Sequence, residues 1–113
     1  MIRAALALLM TLALSAPALA HRVNVFASVE EDTVTVEAKF STGRIPTTGE
    51  VRVEDADGAL VATFPLGEGG VTQFSLAGLP YEDGLSITVL TDDDHEGYWL
   101  LTPADIAAGA EES

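Results

Sequence analysis

The chain has 113 residues, with 5 basic and 18 acidic side chains and a formal net charge of −13. That length allows one domain, and the lack of cysteine excludes disulfides and thiolate metal sites. Without clustered Lys and Arg to neutralise phosphates, nucleic acid is excluded as a partner, while the acidic excess favours cations or basic proteins. Taken in chain order, residues 1–20 stand apart. Arg3 precedes an apolar run from Ala4 to Leu14, Ser15 and Pro17 break the run, and Ala18-Leu19-Ala20 supplies a small-x-small ending. The run is too short to span a membrane. The pattern predicts a cleaved secretory signal over 1–20 and an exported, periplasmic protein whose mature chain begins at His21. No second apolar stretch follows, so no membrane span is expected in the mature chain. Cleavage removes Arg3 and leaves every acidic residue in place.

Beyond the signal, apolar residues recur with period two. Val23, Val25, Ala27 and Val29 form one run, followed by a turn at Glu30-Glu31-Asp32. Val34, Val36, Ala38 and Phe40 alternate with Thr35, Glu37 and Lys39, as in a strand with one buried and one wet face. Ser41 to Gly49 is rich in Gly, Pro and Thr and reads as loop. Val51 and Val53 lead into Asp55-Ala56-Asp57-Gly58, a hairpin turn, and Ala59 to Phe64 returns beside them. Pro65 to Gly70 is loop. Val71 to Leu76 is a strand with Phe74 and Leu76 inward, and Leu85, Ile87 and Val89 mark another. Thr91 to Glu96 is an acidic loop, and Gly97 to Leu101 is a short last strand. Thr102-Pro103-Ala104-Asp105 starts a helix of one or two turns: Thr caps, Pro sits first, and Asp complements the dipole.

About seven short strands separated by regular turns predict an all-β protein. The expected fold is a single β-sandwich of the Ig-like or transthyretin-like kind with a short C-terminal helical turn. The predicted organisation is a signal at 1–20, the sandwich at 21–106 and a flexible tail at 107–113. A domain this small supports one core and no deep cavity.

Chemistry concentrates on two histidines. As a mature N-terminal residue, His21 offers its α-amine and its Nδ1, which together close a chelate ring on one metal ion. Imidazole nitrogen suits Ni, Co, Cu and Zn. His95 follows Asp92-Asp93-Asp94 and precedes Glu96, so carboxylates flank a second imidazole. In a sandwich, the start of the first strand and the loop before the last strand can share one end. His21 and His95 would then supply three nitrogens, with Asp94, Glu96 or a water completing the set. No HExxH, GxSxG or P-loop motif is present, and no spacing suggests a Ser-His-Asp triad, so an enzyme is not expected. Asp55-Ala56-Asp57-Gly58 opens like a calcium loop, but Leu66 stands where the twelfth-position Glu is required. Trp99 reads as an aromatic packing the last strand, with a wall beside a metal site as its functional alternative.

These segments carry a family resemblance. His21-Arg22-Val23-Asn24-Val25-Phe26-Ala27 leads to Val34-Thr35-Val36-Glu37-Ala38-Lys39-Phe40-Ser41-Thr42-Gly43, then to Gly49-Glu50-Val51-Arg52-Val53, the Asp57-Gly58 turn, and His95-Glu96-Gly97-Tyr98-Trp99. The pattern resembles the small periplasmic components that accompany energy-coupling-factor nickel and cobalt transporters, over most of residues 21–101. The middle section is also similar to the carboxypeptidase-regulatory-like sandwich, a widespread interaction module. The resemblance implies that His21 and His95 are the metal-relevant positions, that Ni²⁺ or Co²⁺ is the ion, and that a membrane metal transporter is the partner. The chain departs from the family in having Asp94 before His95 where Gly is usual, and in lacking the C-terminal membrane helix of many relatives.

The leading expectation is a periplasmic metal-binding accessory for nickel or cobalt uptake. Two alternatives remain open: a metal-free β-sandwich that binds a partner through its loops, and a periplasmic copper-binding protein, since amine and imidazole nitrogens also favour Cu²⁺.

Overall fold

A computed structural model describes residues 22–91 and 95–110. The signal expected at 1–20, and the candidates His21 and Asp94, lie outside the described residues. Seven strands and a helix follow in order: β1 (Val23–Glu30), β2 (Thr33–Phe40), β3 (Gly49–Glu54), β4 (Leu60–Pro65), β5 (Val71–Ser75), β6 (Leu85–Thr91), β7 (Glu96–Leu101) and α1 (Pro103–Ala110). A short 3₁₀ turn over Glu68–Gly70 interrupts the segment read as loop between β4 and β5.

The strands form two antiparallel sheets, ordered β1-β2-β5 and β4-β3-β6-β7. The all-β sandwich expected from the period-two pattern is the fold observed. β1 alternates buried and exposed along its whole length, and β2 buries Val34, Val36 and Ala38. Val51 and Val53 on β3, and Ile87 and Val89 on β6, complete the facing layer at 0% exposure. Burying each such side chain contributes about 1.5–3 kcal/mol. The core is dominated by valine, whose short branched side chain is stiff and suits a pleated surface.

Each long side of the stack is closed differently. On one side the Phe64 and Phe74 rings stack at 4.9 Å and 14°, joining β4 of one sheet to β5 of the other. There Thr72 Oγ1 donates to the Pro65 carbonyl and accepts from the Gly67 amide, tying down the crossover between sheets. On the other side β1 and β7, which belong to different sheets, lie against each other.

The turns follow their residues. Asp55 Oδ1 accepts from the Asp57 and Ala59 amides, and Gly58 takes a φ of 86°, so this segment is a hairpin turn. Glu30 pairs with Thr33, leaving Glu31-Asp32 as a two-residue turn in which Glu31 holds a φ of 59°. A non-glycine residue in that region costs about 1–2 kcal/mol.

The helix start is as its residues predict. The Asp105 amide donates to Thr102 Oγ1 at 3.1 Å, and the Thr102 amide donates to Asp105 Oδ2 at 3.2 Å, a reciprocal capping box with Pro103 at the first helical position. The C-terminal end corrects the sequence reading. Ala107–Ala110, assigned above to a flexible tail, continue the helix. Gly109 is buried because a Cβ there would collide with the Val29 carbonyl oxygen, and its own carbonyl accepts the Glu31 amide at 3.0 Å. A glycine that reads as a helix breaker is the point where α1 lies directly on β1.

Gly109→Ala should therefore cost about 1–3 kcal/mol by overpacking, seen as a fall in Tm of roughly 4–8 °C per kcal/mol for a domain of this size. Truncation after Ile106 should lower Tm as well.

Candidate functional site

The sandwich has two ends. One carries the start of β1, the end of β2, the β2–β3 loop and the β6–β7 connection. Three local features build it.

The β1 start is held on β2. Val23 pairs with Phe40, and the Arg22 carbonyl accepts the Ser41 amide at 2.8 Å, extending the ladder one step beyond the strand. β2 then turns sharply: the Phe40 amide donates to the Arg44 carbonyl and the Gly43 amide to the Phe40 carbonyl, both at 2.8 Å. Gly43 takes a φ of 93° there, a conformation glycine adopts without penalty.

The connection from β6 to β7 is closed by His95. Its carbonyl accepts the Thr91 amide at 2.9 Å and the Thr91 hydroxyl at 3.3 Å. The backbone at 95 is therefore pinned on either side of the acidic run. The half-buried imidazole packs edge-to-face on Phe40, ring centres 5.7 Å apart at 79°. Phe40 thus touches both candidate segments, through its backbone register to β1 and through its ring to His95. A cleft of about 100 Å³ opens beside it, lined by Phe40, Arg44 and Thr91 among others.

The third feature is Gly97. A Cβ at this position would strike the Val23 carbonyl oxygen and approach a Val25 methyl to 3.0 Å. A glycine inside a strand often marks close backbone approach. Here it lets the edge of β7 rest on the edge of β1, so that residue 22 and residue 95 fall at the same end. Farther along this seam Trp99 meets Phe26 edge-on at 5.1 Å and 70°. The Trp99 indole nitrogen is buried there with no hydrogen-bond acceptor among the described residues.

The four candidate ligands are placed as follows. His95 is at this end and half-buried. Glu96 is exposed, and strand alternation puts it on the outward face of β7 with Tyr98 and Leu100, opposite the His95 side. His21 and Asp94 adjoin described residues in sequence but lie outside them. Among the described residues, no three His, Asp or Glu side chains converge to hold a metal ion. Arg22, Lys39 and Arg44 also occupy this end, all exposed. Charge among the described residues here is therefore mixed, and the acidic run at 92–94 joins β6 to β7 at the same end.

Sequence reasoning passed over Phe40 as a site residue and took Gly97 for a plain strand start. The available signal was the lone glycine two residues after a histidine in an otherwise bulky strand. Comparison with known proteins finds no matching family model, curated protein or solved structure.

Gly97→Ala should force β7 away from β1 at a cost of about 1–3 kcal/mol. Its effect should appear both in Tm and as a change in the emission of Trp99, the single tryptophan of the chain.

Proposed function

We propose that this protein is an exported metal-binding accessory for nickel or cobalt uptake, in which the mature N-terminal histidine and His95 hold the ion as cargo. The observation that carries the reading is the β1–β7 seam. Gly97 against the Val23 carbonyl, and Phe40 between Val23 and His95, bring the beginning of β1 and the His95 ring to one end of the sandwich. His21 is covalently one residue before Arg22, whose carbonyl is fixed by Ser41.

The donor chemistry fits an intermediate metal. An α-amine, its own imidazole and a second imidazole are borderline nitrogen donors, which prefer Ni²⁺, Co²⁺ and Cu²⁺ over the oxygen-seeking Ca²⁺ and Mg²⁺. Asp94 supplies a carboxylate next to His95 in sequence. Glu96 serves less well, because its strand position points it away. All these donors must be deprotonated to bind, so capture of the ion releases protons. A site at the tip of a sandwich, with ligands from a chain terminus and a loop, is open on its outer side and suited to handing an ion onward. The transporter that receives it is the partner implied by this role.

The test is isothermal titration of Ni²⁺, Co²⁺ and Cu²⁺ into protein beginning at His21. The control carries one extra N-terminal residue. One-to-one binding should weaken at least tenfold in the control and in His95→Ala, whereas Glu96→Gln should bind as the parent does. Equal affinity in all four proteins would overturn the N-terminal histidine site.

A further inference from the structure

The opposite end of the sandwich carries a second surface. β1 runs for eight residues, which at 3.3 Å per residue separates the two ends by roughly 25 Å. There α1, the β1–β2 turn and the loop between β5 and β6 enclose an open groove of about 780 Å³. Leu76, Ile106 and Ala107 contribute to an apolar floor, and Glu31, Asp32 and Glu82 contribute exposed carboxylates. Among the described residues, no basic side chain lines it. Tyr81 adds an aromatic ring, a surface that accepts either an apolar stem or a cationic head.

The groove is rigid where it matters. One wall is α1, docked through Gly109 onto Val29. The Glu31 turn is fastened to that helix by the hydrogen bond from its amide to the Gly109 carbonyl. The unfavourable φ of Glu31 is thereby held in place at the rim, with its carboxylate at the groove.

We infer that this groove docks a basic segment of a partner protein in which apolar side chains alternate with lysine or arginine. Charge complementarity selects this occupant. An apolar floor alone would accept many ligands, but three carboxylates with no cation among them repel acidic or anionic guests and attract basic ones. The floor supplies burial for apolar side chains, and the rim fixes which sequences bring them. The site is independent of the metal-binding reading, because it shares no residue with the His95 end.

The experiment is fluorescence anisotropy of labelled eight-residue peptides against the mature protein with EDTA present. The probes are alternating lysine–leucine, alternating lysine–serine and alternating glutamate–leucine peptides. The lysine–leucine peptide should bind at least tenfold tighter than the other two. Glu31→Gln with Glu82→Gln should weaken it at least fivefold, and Ala107→Arg, at an exposed helix position, should abolish it while circular dichroism shows an unchanged fold. Glu37→Gln with Glu68→Gln, carboxylates outside the groove, should leave it unaltered. Equal binding of the lysine–serine peptide, or equal loss in the Glu37/Glu68 variant, would show general attraction to an acidic protein and overturn the inference. A concentration-dependent dimer in sedimentation that Ala107→Arg dissolves would assign the groove to a second copy of the chain and overturn it too.

Discussion

The structure depends on one close approach, that of Gly97 to the backbone of β1. Two small sheets with thin, valine-rich inner faces do not by themselves determine how their edges align. The missing side chain at 97 lets β7 settle on the Val23 carbonyl, and this sets the alignment of one sheet on the other along that side. Phe26 and Trp99 then meet farther along the seam, and α1, which follows directly from β7, reaches Val29 with its own glycine. The other side needs no such contact, because the chain itself crosses there and the stacked Phe64 and Phe74 rings cover the crossover. With no disulfide to fasten the layers, backbone proximity at two glycines does that work.

The strands were legible in the sequence because burial on a single face writes itself as alternation. The runs beginning at Val23, Val34 and Leu85 each lie where their period-two pattern puts them, and the Asp55–Gly58 turn announces itself by its side-chain acceptor and glycine. The helix start was legible for the same kind of reason, since a capping box is a local device whose partners lie three residues apart. The helix end was not. Gly109 disfavours a helix by local propensity, and only its contact with Val29, eighty residues away in sequence, makes glycine the right choice. The seam was hidden likewise. Sandwich topology suggested two histidine-bearing segments that could meet, but the reason they share an end lies in a glycine that looks ordinary in a strand. Glu96 illustrates the reverse case: adjacency to His95 in sequence suggested a ligand, whereas alternation along β7 turns its side chain the other way.

The two ends of the sandwich differ in chemistry because they are built from different connections. Three exposed basic residues and His95 gather where β1 and β7 begin. The turns at the far end, Glu31-Asp32, Asp55–Gly58 and the Glu82-Asp83 loop, carry carboxylates and no lysine or arginine. The acidic run at 92–94 joins β6 to β7 at the first end, so carboxylates stand at both ends, and the cations named above distinguish one end from the other. A partner that approaches the two ends therefore meets mixed charge at one and carboxylates alone in the turns of the other.

The buried indole nitrogen of the half-buried Trp99 gives the seam a further property. A polar N–H removed from water without an acceptor among the described residues costs about 1–3 kcal/mol, a penalty that water entering between β1 and β7 would relieve. Opening of the joint that aligns the sheets is therefore opposed less than its packing alone would give, and native-state hydrogen exchange along β7 is expected to be faster than in the valine layer behind it. Because the chain contains a single tryptophan, its emission maximum is a direct optical record of that opening, shifting to longer wavelength whenever the seam admits solvent.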